Sequence, residues 1–134
     1  MISAIFVNMP IFNLKRTVEF FTGLGFTFNP QFTGEDSTCM IIGENIFAML
    51  VENERFKDFI DKPIAETNAT EMLLSLSCDS QDEVRRLAET AFSLGARRVN
   101  DPEDNGFMFS WGFEDLDGHL WDLFWMDPAH IQNQ

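Results

Sequence analysis

The stretch FEDLDGHLWDLFWMDP, residues 113–128, decides the fold more than any other part of the sequence. Its Asp-Gly pair at 117–118 is typical of a hairpin turn, and the apolar run that follows, LWDLFWM, is typical of a buried strand. Asp122 interrupts this run. Burying an ionised carboxylate without a partner costs several kcal/mol, so the question is what this acid faces.

Strand alternation divides the run into two faces. Trp121 shares one face with Leu123 and Trp125, and we expect this face to pack under a helix. Asp122 then points the opposite way, into a cavity. It either contacts a polar or cationic ligand or a water cluster there, or it is a structural acid bonded to backbone or to an Arg, within the domain or across a dimer interface.

Around this stretch, the sequence predicts the order strand, helix and three strands twice. A helix that follows Asn13 ends at Gly25, and a second helix, opened by Ser80 and Glu83 as a capping box, ends at Gly95. The predicted strands are residues 2–8, 26–29, 38–42 and 46–51 in the first half, and 72–78, 97–99, 107–113 and 120–126 in the second.

The predicted fold class is α+β, with two βαβββ modules that form a cupped mixed sheet. The modules span about 1–62 and 70–128 of a single domain, 1–134. One helix covers only one face of each sheet, so each sheet keeps an open face. A concave, partly apolar face of this kind is a natural place for a small ligand.

The chain resembles the vicinal oxygen chelate superfamily, which includes glyoxalase I, the bleomycin-resistance proteins and the extradiol dioxygenases. The motifs that carry the resemblance are FVNMPIFNLKRTVEFFTGLGF (6–26) and FEDLDGHLWDLFWMD (113–127). The segments MLLSLSCDSQDEV (72–84) and NGFMFSWGFEDLDGHLW (105–121) are similar to small single-domain proteins named as lactoylglutathione lyases.

This resemblance implies four positions at which the family's metal enzymes hold a divalent ion with His and Glu. They fall at or near Phe6, Met49, Leu73 and Asp122. Only Asp122 keeps a ligand type, and it is one methylene shorter than the usual Glu. We therefore predict no complete metal site and no cofactor, with a divalent metal held weakly by Glu52, Asp122 and waters as the alternative.

Other residues on the predicted strands are candidates for the cavity wall. Polar side chains there supply hydrogen bonds, and aromatic ones stack on a planar or cationic ligand, unless they are plain core packing. The predicted ligand-binding residues are Asp122, Asn8, Phe6, Glu52, Phe107, Phe109 and Trp111. His119 is expected to hydrogen-bond near the turn, and His130 to be solvated. The acidic residues in the run 101–104 predict a solvated loop.

Composition limits the partners. The 134 residues include 22 acidic and 9 basic side chains, a net charge of -13, which disfavours nucleic acid and anionic membrane. The two cysteines, Cys39 and Cys78, form no CxxC motif and fit free thiols in a reducing cytoplasm. The resemblance implies a homodimer.

Two functions follow from these observations. The first is a small-molecule binding protein of the bleomycin-resistance kind, which holds its ligand in the sheet cavity without chemistry. The alternative is a metal-dependent lyase or isomerase of the lactoylglutathione lyase kind, in which the ion polarises a carbonyl while a carboxylate moves a proton.

Overall fold

The computed structural model describes the backbone of residues 1–131 and the side chains of residues 1–129, so the expectation for His130 lies outside the described side chains. The chain divides into two compact units, Met1–Glu66 and Thr67–Gln134. Within the described residues, no helix is long and apolar enough to cross a membrane.

The first unit contains a four-stranded sheet in the order β1-β4-β3-β2. Strands β1 and β4 pair in parallel, and the other neighbours pair antiparallel. Its elements are β1 (Ile5–Ile11), α1 (Leu14–Gly23), β2 (Thr27–Asn29), β3 (Ser37–Gly43), β4 (Ile46–Glu52) and the short helix α2 (Asn53–Phe56).

The second unit repeats this arrangement with the order β5-β9-β8-β6, and a small extra strand, β7, also pairs with β8. Strands β5 and β9 pair in parallel. Its elements are β5 (Leu73–Ser77), α3 (Gln81–Ser93), β6 (Arg97–Arg98), β7 (Glu103–Asp104), β8 (Met108–Glu114), β9 (Leu120–Met126) and the short helix α4 (Pro128–Ile131).

Both long helices begin and end where their sequence signals predict. Asn13 accepts a hydrogen bond from the Arg16 backbone N–H at 2.9 Å, and Ser80 accepts one from Glu83 at 3.1 Å. Glu83 in turn accepts from the Asp79 backbone N–H at 2.8 Å, one residue before the position in a standard capping box. Gly25 and Gly95 follow the helices with φ of +100° and +106°, a conformation that favours glycine.

The predicted α+β class with two βαβββ arrangements is therefore confirmed. Two segments differ. The first strand, predicted over residues 2–8, is Ile5–Ile11. Residues 103–104, predicted as a solvated loop, form β7, in which Glu103 lies opposite Ser110. Two residues are too few for a hydrophobic pattern, so this strand depends on pairing that the sequence does not display.

Candidate functional site around Asp122

Strand β9 lies inside the second sheet, because it pairs with β5 on one side and with β8 on the other. Asp122, at the middle of β9, is opposite Ser75 of β5 and Gly112 of β8. The acid that interrupts the apolar run is thus at the centre of the sheet, where a side chain has neighbours on both sides.

The strand register assigns the sheet's side chains to two faces. The helix face consists of Leu74, Leu76, Phe109, Trp111, Phe113, Trp121, Leu123 and Trp125. The Asp122 face consists of Leu73, Ser75, Ser77, Met108, Ser110, Gly112, Glu114, Leu120, Asp122, Phe124 and Met126.

Helix α3 packs on the helix face. Its residues Val84, Ala88 and Ala91 are fully buried, and Phe92 contacts Trp111 edge to face with ring centroids 5.3 Å apart. On the Asp122 face, the side chains from Leu120 to Met126 keep part of their surface exposed. The expectation that the Trp face packs under a helix is correct, and Asp122 points to the opposite side.

Asp122 has one hydrogen-bond partner within the described residues. Ser75 Oγ donates to Asp122 Oδ2 at 3.3 Å. Burial raises the pKa of the Asp122 carboxyl above its ordinary value, the Ser75 hydrogen bond lowers it, and the negative charge of Glu103 raises it further. Strand β7 brings Glu103 to this face by pairing it with Ser110.

Gly112 fits closely against β9 beside this acid. A Cβ atom at this position would lie 2.8 Å from the Trp121 carbonyl oxygen, closer than atoms pack, and 3.9 Å from Asp122 Oδ1. The sheet therefore requires glycine here, and the Oδ1 side of Asp122 has no side chain from its cross-strand neighbour.

The turn before β9 is organised by Asp115, which is 5% exposed. Its Oδ1 accepts from the backbone N–H groups of Asp117 and His119 at 2.9 and 3.0 Å, and its Oδ2 accepts from Trp121 Nε1 at 2.9 Å. These bonds hold Trp121 on the helix face. Because side chains alternate along a strand, they also direct Asp122 to the other face.

Several solved structures share the fold of this chain. Hypothetical protein SA1046 from S. aureus is 26% identical with a TM-score of 0.79, over 92% of this chain and 94% of that chain. A glyoxalase-related enzyme from Fulvimarina pelagi is 15% identical with a TM-score of 0.79, over 93% and 88%. The fosfomycin resistance protein FosX from Mesorhizobium loti is 17% identical with a TM-score of 0.71, over 98% and 99%.

The chain has the glyoxalase/bleomycin resistance/dioxygenase fold. The resemblance to the vicinal oxygen chelate superfamily is thereby confirmed at the level of the fold. No protein-family model matches the sequence, and no curated protein sequence matches it.

At the four positions that the resemblance assigns to metal ligands, only Asp122 has a side chain of the usual ligand type. In the first unit, the Phe6 ring stacks on Phe47 at 4.6 Å and Met49 offers a soft thioether. In the second unit, Leu73 has no donor atom and Asp122 is a single carboxylate. Among the side chains of residues 1–129, no three His, Cys, Asp or Glu residues form a group that could hold a metal.

In the first unit, the predicted ligand-binding residues lie on opposite faces of the four-stranded sheet. Phe6 is 48% exposed, and Asn8 is exposed and donates from Nδ2 to the Phe6 carbonyl at 3.3 Å. Glu52 lies instead at the start of α1, where its Oε2 accepts from the Leu14 backbone N–H at 2.8 Å. Glu52 therefore caps α1, and its contact with a ligand stays a prediction.

In the second unit, the prediction that aromatic residues line the cavity with Asp122 is wrong for Phe109 and Trp111. They are 1% and 5% exposed on the helix face, with Arg85 over the Phe109 ring at 4.3 Å. Phe107 precedes β8, at the other end of the strand from Gly112, and is 41% exposed. Plain core packing, the alternative for these aromatics, describes Phe109 and Trp111.

Neither cysteine provides a reactive thiol. Cys39 and Cys78 are both free, and Cys39 is buried. Burial and the neighbouring Glu83 and Asp79 carboxylates raise the pKa of Cys78 to about 11. At neutral pH this thiol is almost entirely protonated and therefore a weak nucleophile and metal ligand.

Sequence reasoning missed three residues of the site: Glu103, Gly112 and Asp115. Gly112 had a visible signal, since a glycine inside a strand often marks a close backbone approach. Asp115 also had one, because an acid two residues before Asp117-Gly118 is typical of a side chain that caps a turn. Glu103 had none, because its position depends on the two-residue strand β7.

Proposed function

We propose that this protein binds a small organic molecule on the Asp122 face of its second sheet and holds it without a metal ion. The observation that carries the proposal is the half-buried Asp122 carboxylate, which has Ser75 as its one hydrogen-bond partner in the described residues. A carboxylate at the centre of a sheet, flanked by leucine, phenylalanine and methionine, is suited to a polar or cationic ligand.

The structural alternative within one chain, an acid held by backbone N–H groups or by an Arg of the same domain, fits Asp122 poorly. Asp115 shows what such an acid looks like in this protein, with three N–H donors on its two oxygens. Asp122 has neither a backbone donor nor an Arg partner within the described residues. Part of its hydrogen-bonding capacity is therefore available to a ligand.

The metal-dependent lyase alternative receives no support from these residues, because three of the four family ligand positions are Phe, Met and Leu. Homodimerisation and a cytoplasmic location, expected from the resemblance and from the free cysteines, belong to the same proposal. Size-exclusion chromatography with light scattering tests the dimer.

The experiment uses proflavine, a fluorescent aromatic cation, and the aromatic anion 8-anilinonaphthalene-1-sulfonate. We expect the purified protein to bind proflavine and to bind the anion far more weakly. Asp122→Asn should weaken proflavine binding by roughly tenfold or more, since a hydrogen bond to a charged group contributes about 1.5–3 kcal/mol. Glu89→Gln removes an equal charge from the exposed side of α3 and should leave the affinity nearly unchanged.

The same preparation separates the two functions. Elemental analysis and an assay of hemithioacetal isomerisation with added Ni²⁺, Zn²⁺ and Mn²⁺ test the lyase. Stoichiometric metal with turnover would overturn the binding proposal. Equal proflavine affinity in the wild type and Asp122→Asn would show that Asp122 is not the site.

A further inference from the structure

We infer that the ligand is a protonated amine or amidine with an apolar body, which donates an N–H hydrogen bond to Asp122 Oδ1. This rests on the proposed function and adds the chemical class of the ligand. It excludes quaternary ammonium compounds, which carry the same charge but have no N–H to donate.

The two carboxylate oxygens of Asp122 differ in their hydrogen bonds. Oδ2 already accepts from Ser75 Oγ, whereas within the described residues no hydrogen bond reaches Oδ1. Oδ1 lies towards Gly112, which contributes no side chain. A carboxylate oxygen accepts two hydrogen bonds, so a ligand donor can approach from this side.

The cationic side chains of the second unit are occupied by other contacts. The unit contains no Lys and four Arg, and each Arg contacts another group. Arg97 pairs with Glu114 at 2.9 Å, and Arg86 lies 3.8 Å from Glu83. Arg85 stacks over Phe109, and Arg98 stacks over Phe92 and Trp111 on the helix face. No Arg of the second unit therefore complements Asp122, which leaves this acid available to a cationic ligand.

The positions of the aromatic residues favour an N–H donor over a quaternary cation. Quaternary ammonium groups are recognised by aromatic cages, in which several ring faces surround the charge. The sheet's aromatic residues lie almost entirely on the helix face, and Phe124 is the one aromatic residue among those that form the Asp122 face. A single ring makes no cage, so the carboxylate must supply the recognition through a hydrogen bond.

The side chains around Asp122 favour a ligand with an apolar body and a positive charge. Leu120, Phe124 and Met126 flank the acid along β9 with part of their surface exposed, which favours an apolar body next to the charged group. Glu103 adds a second negative charge that acts on Asp122. Both features favour a compact organic cation over an anion or a neutral polar molecule.

The test compares benzylamine, protonated at neutral pH, with benzyltrimethylammonium, which has the same ring and charge but no N–H. Each is titrated into the full chain and followed by NMR chemical shifts of the Ser75, Gly112 and Asp122 amides. We expect benzylamine to bind roughly tenfold more tightly than benzyltrimethylammonium. Asp122→Asn should remove this difference, and Glu89→Gln should keep it.

The outcomes distinguish this inference from the proposed function. If both cations bind equally to the wild type and proflavine still depends on Asp122, the ligand class is wrong and the site stands. If proflavine does not depend on Asp122, the proposed function itself fails. If neither benzyl cation perturbs the three amides at millimolar concentration, or if Asp122→Asn keeps the preference for benzylamine, the inference is overturned.

Discussion

Two acids seven residues apart in one hairpin, Asp115 and Asp122, show how local contacts determine what a carboxylate does. Burial raises the pKa of both. Asp115 is compensated by three N–H donors and thereby orders a turn. Asp122 accepts a hydrogen bond from one hydroxyl group only, which offsets little of the free-energy cost of partly removing its carboxylate from water. A partly buried carboxylate with few hydrogen-bond partners, like Asp122, is typical of a functional site, where a residue that binds a ligand lowers the stability of the free protein.

The stability of Asp122→Asn tests this argument. In the folded chain, the pKa of the Asp122 carboxyl is raised above its ordinary value of 3.8. The contribution of this carboxyl to the free energy of unfolding is therefore fully present below pH 3.8 and is lost as the pH rises through the raised pKa. At pH 7 we expect Asp122→Asn to increase the free energy of unfolding. The gain should be less than about 1 kcal/mol, since solvent screens a half-exposed group.

Urea unfolding between pH 7 and pH 4 measures this effect. The gain should shrink as the pH falls towards 3.8 and disappear below it, where the carboxyl is protonated in the folded and unfolded chains alike. A loss of stability in Asp122→Asn at pH 7 would mean that the charge is already compensated within the protein. Glu89→Gln again serves as the charge-matched control.

At the scale of elements, the sequence was a good guide to where helices and strands lie. Asn13, Ser80, Gly25 and Gly95 act through contacts within a few residues, so their signals are complete in the local sequence. Strand β9 was also predicted at its observed bounds, because Asp117-Gly118 and six apolar residues mark it.

Which residues share a face of the sheet was harder to predict, because this depends on the register in which neighbouring strands pair. Alternation shows that Phe109 and Trp111 share one face, but it does not show which face of the neighbouring strand they join. That depends on the pairing of Trp111 with Leu123 across the hairpin. A shift of one residue would have moved both aromatic residues to the side of Asp122.

Glu52 offers a test of an element-level contact. Its Oε2 accepts from the first backbone N–H of α1, where a negative charge also complements the helix dipole. We expect Glu52→Ala to lower the free energy of unfolding in urea by about 1–2 kcal/mol. Glu54→Ala, which breaks an exposed ion pair with Lys57, should change it by less than about 0.5 kcal/mol.

The same variants separate the two roles considered for Glu52. If Glu52 caps α1, Glu52→Ala should bind proflavine as tightly as the wild type under conditions where both are folded. A tenfold weaker affinity in folded Glu52→Ala would restore the ligand-binding role that the sequence suggested.

At the scale of the whole molecule, the net charge of -13 attracts any cation. This long-range attraction acts on quaternary and protonated amines alike, and salt screens it with a Debye length of about 10 Å at 0.1 M. A direct hydrogen bond to a half-buried carboxylate is screened much less. The salt dependence of the binding affinity therefore distinguishes attraction by the net charge of the protein from a hydrogen bond at Asp122.

We expect the Kd of benzylamine to rise several-fold for both the wild type and Asp122→Asn when the NaCl concentration increases from 20 to 300 mM, because this change shortens the Debye length roughly fourfold. The ratio of the two Kd values should stay within about twofold of its low-salt value, because the hydrogen bond to Oδ1 is local. Titrations at four salt concentrations measure both quantities. A ratio that falls to one at 300 mM NaCl would show that Asp122 contributes only to the general negative field, and the binding site would then have to be sought elsewhere.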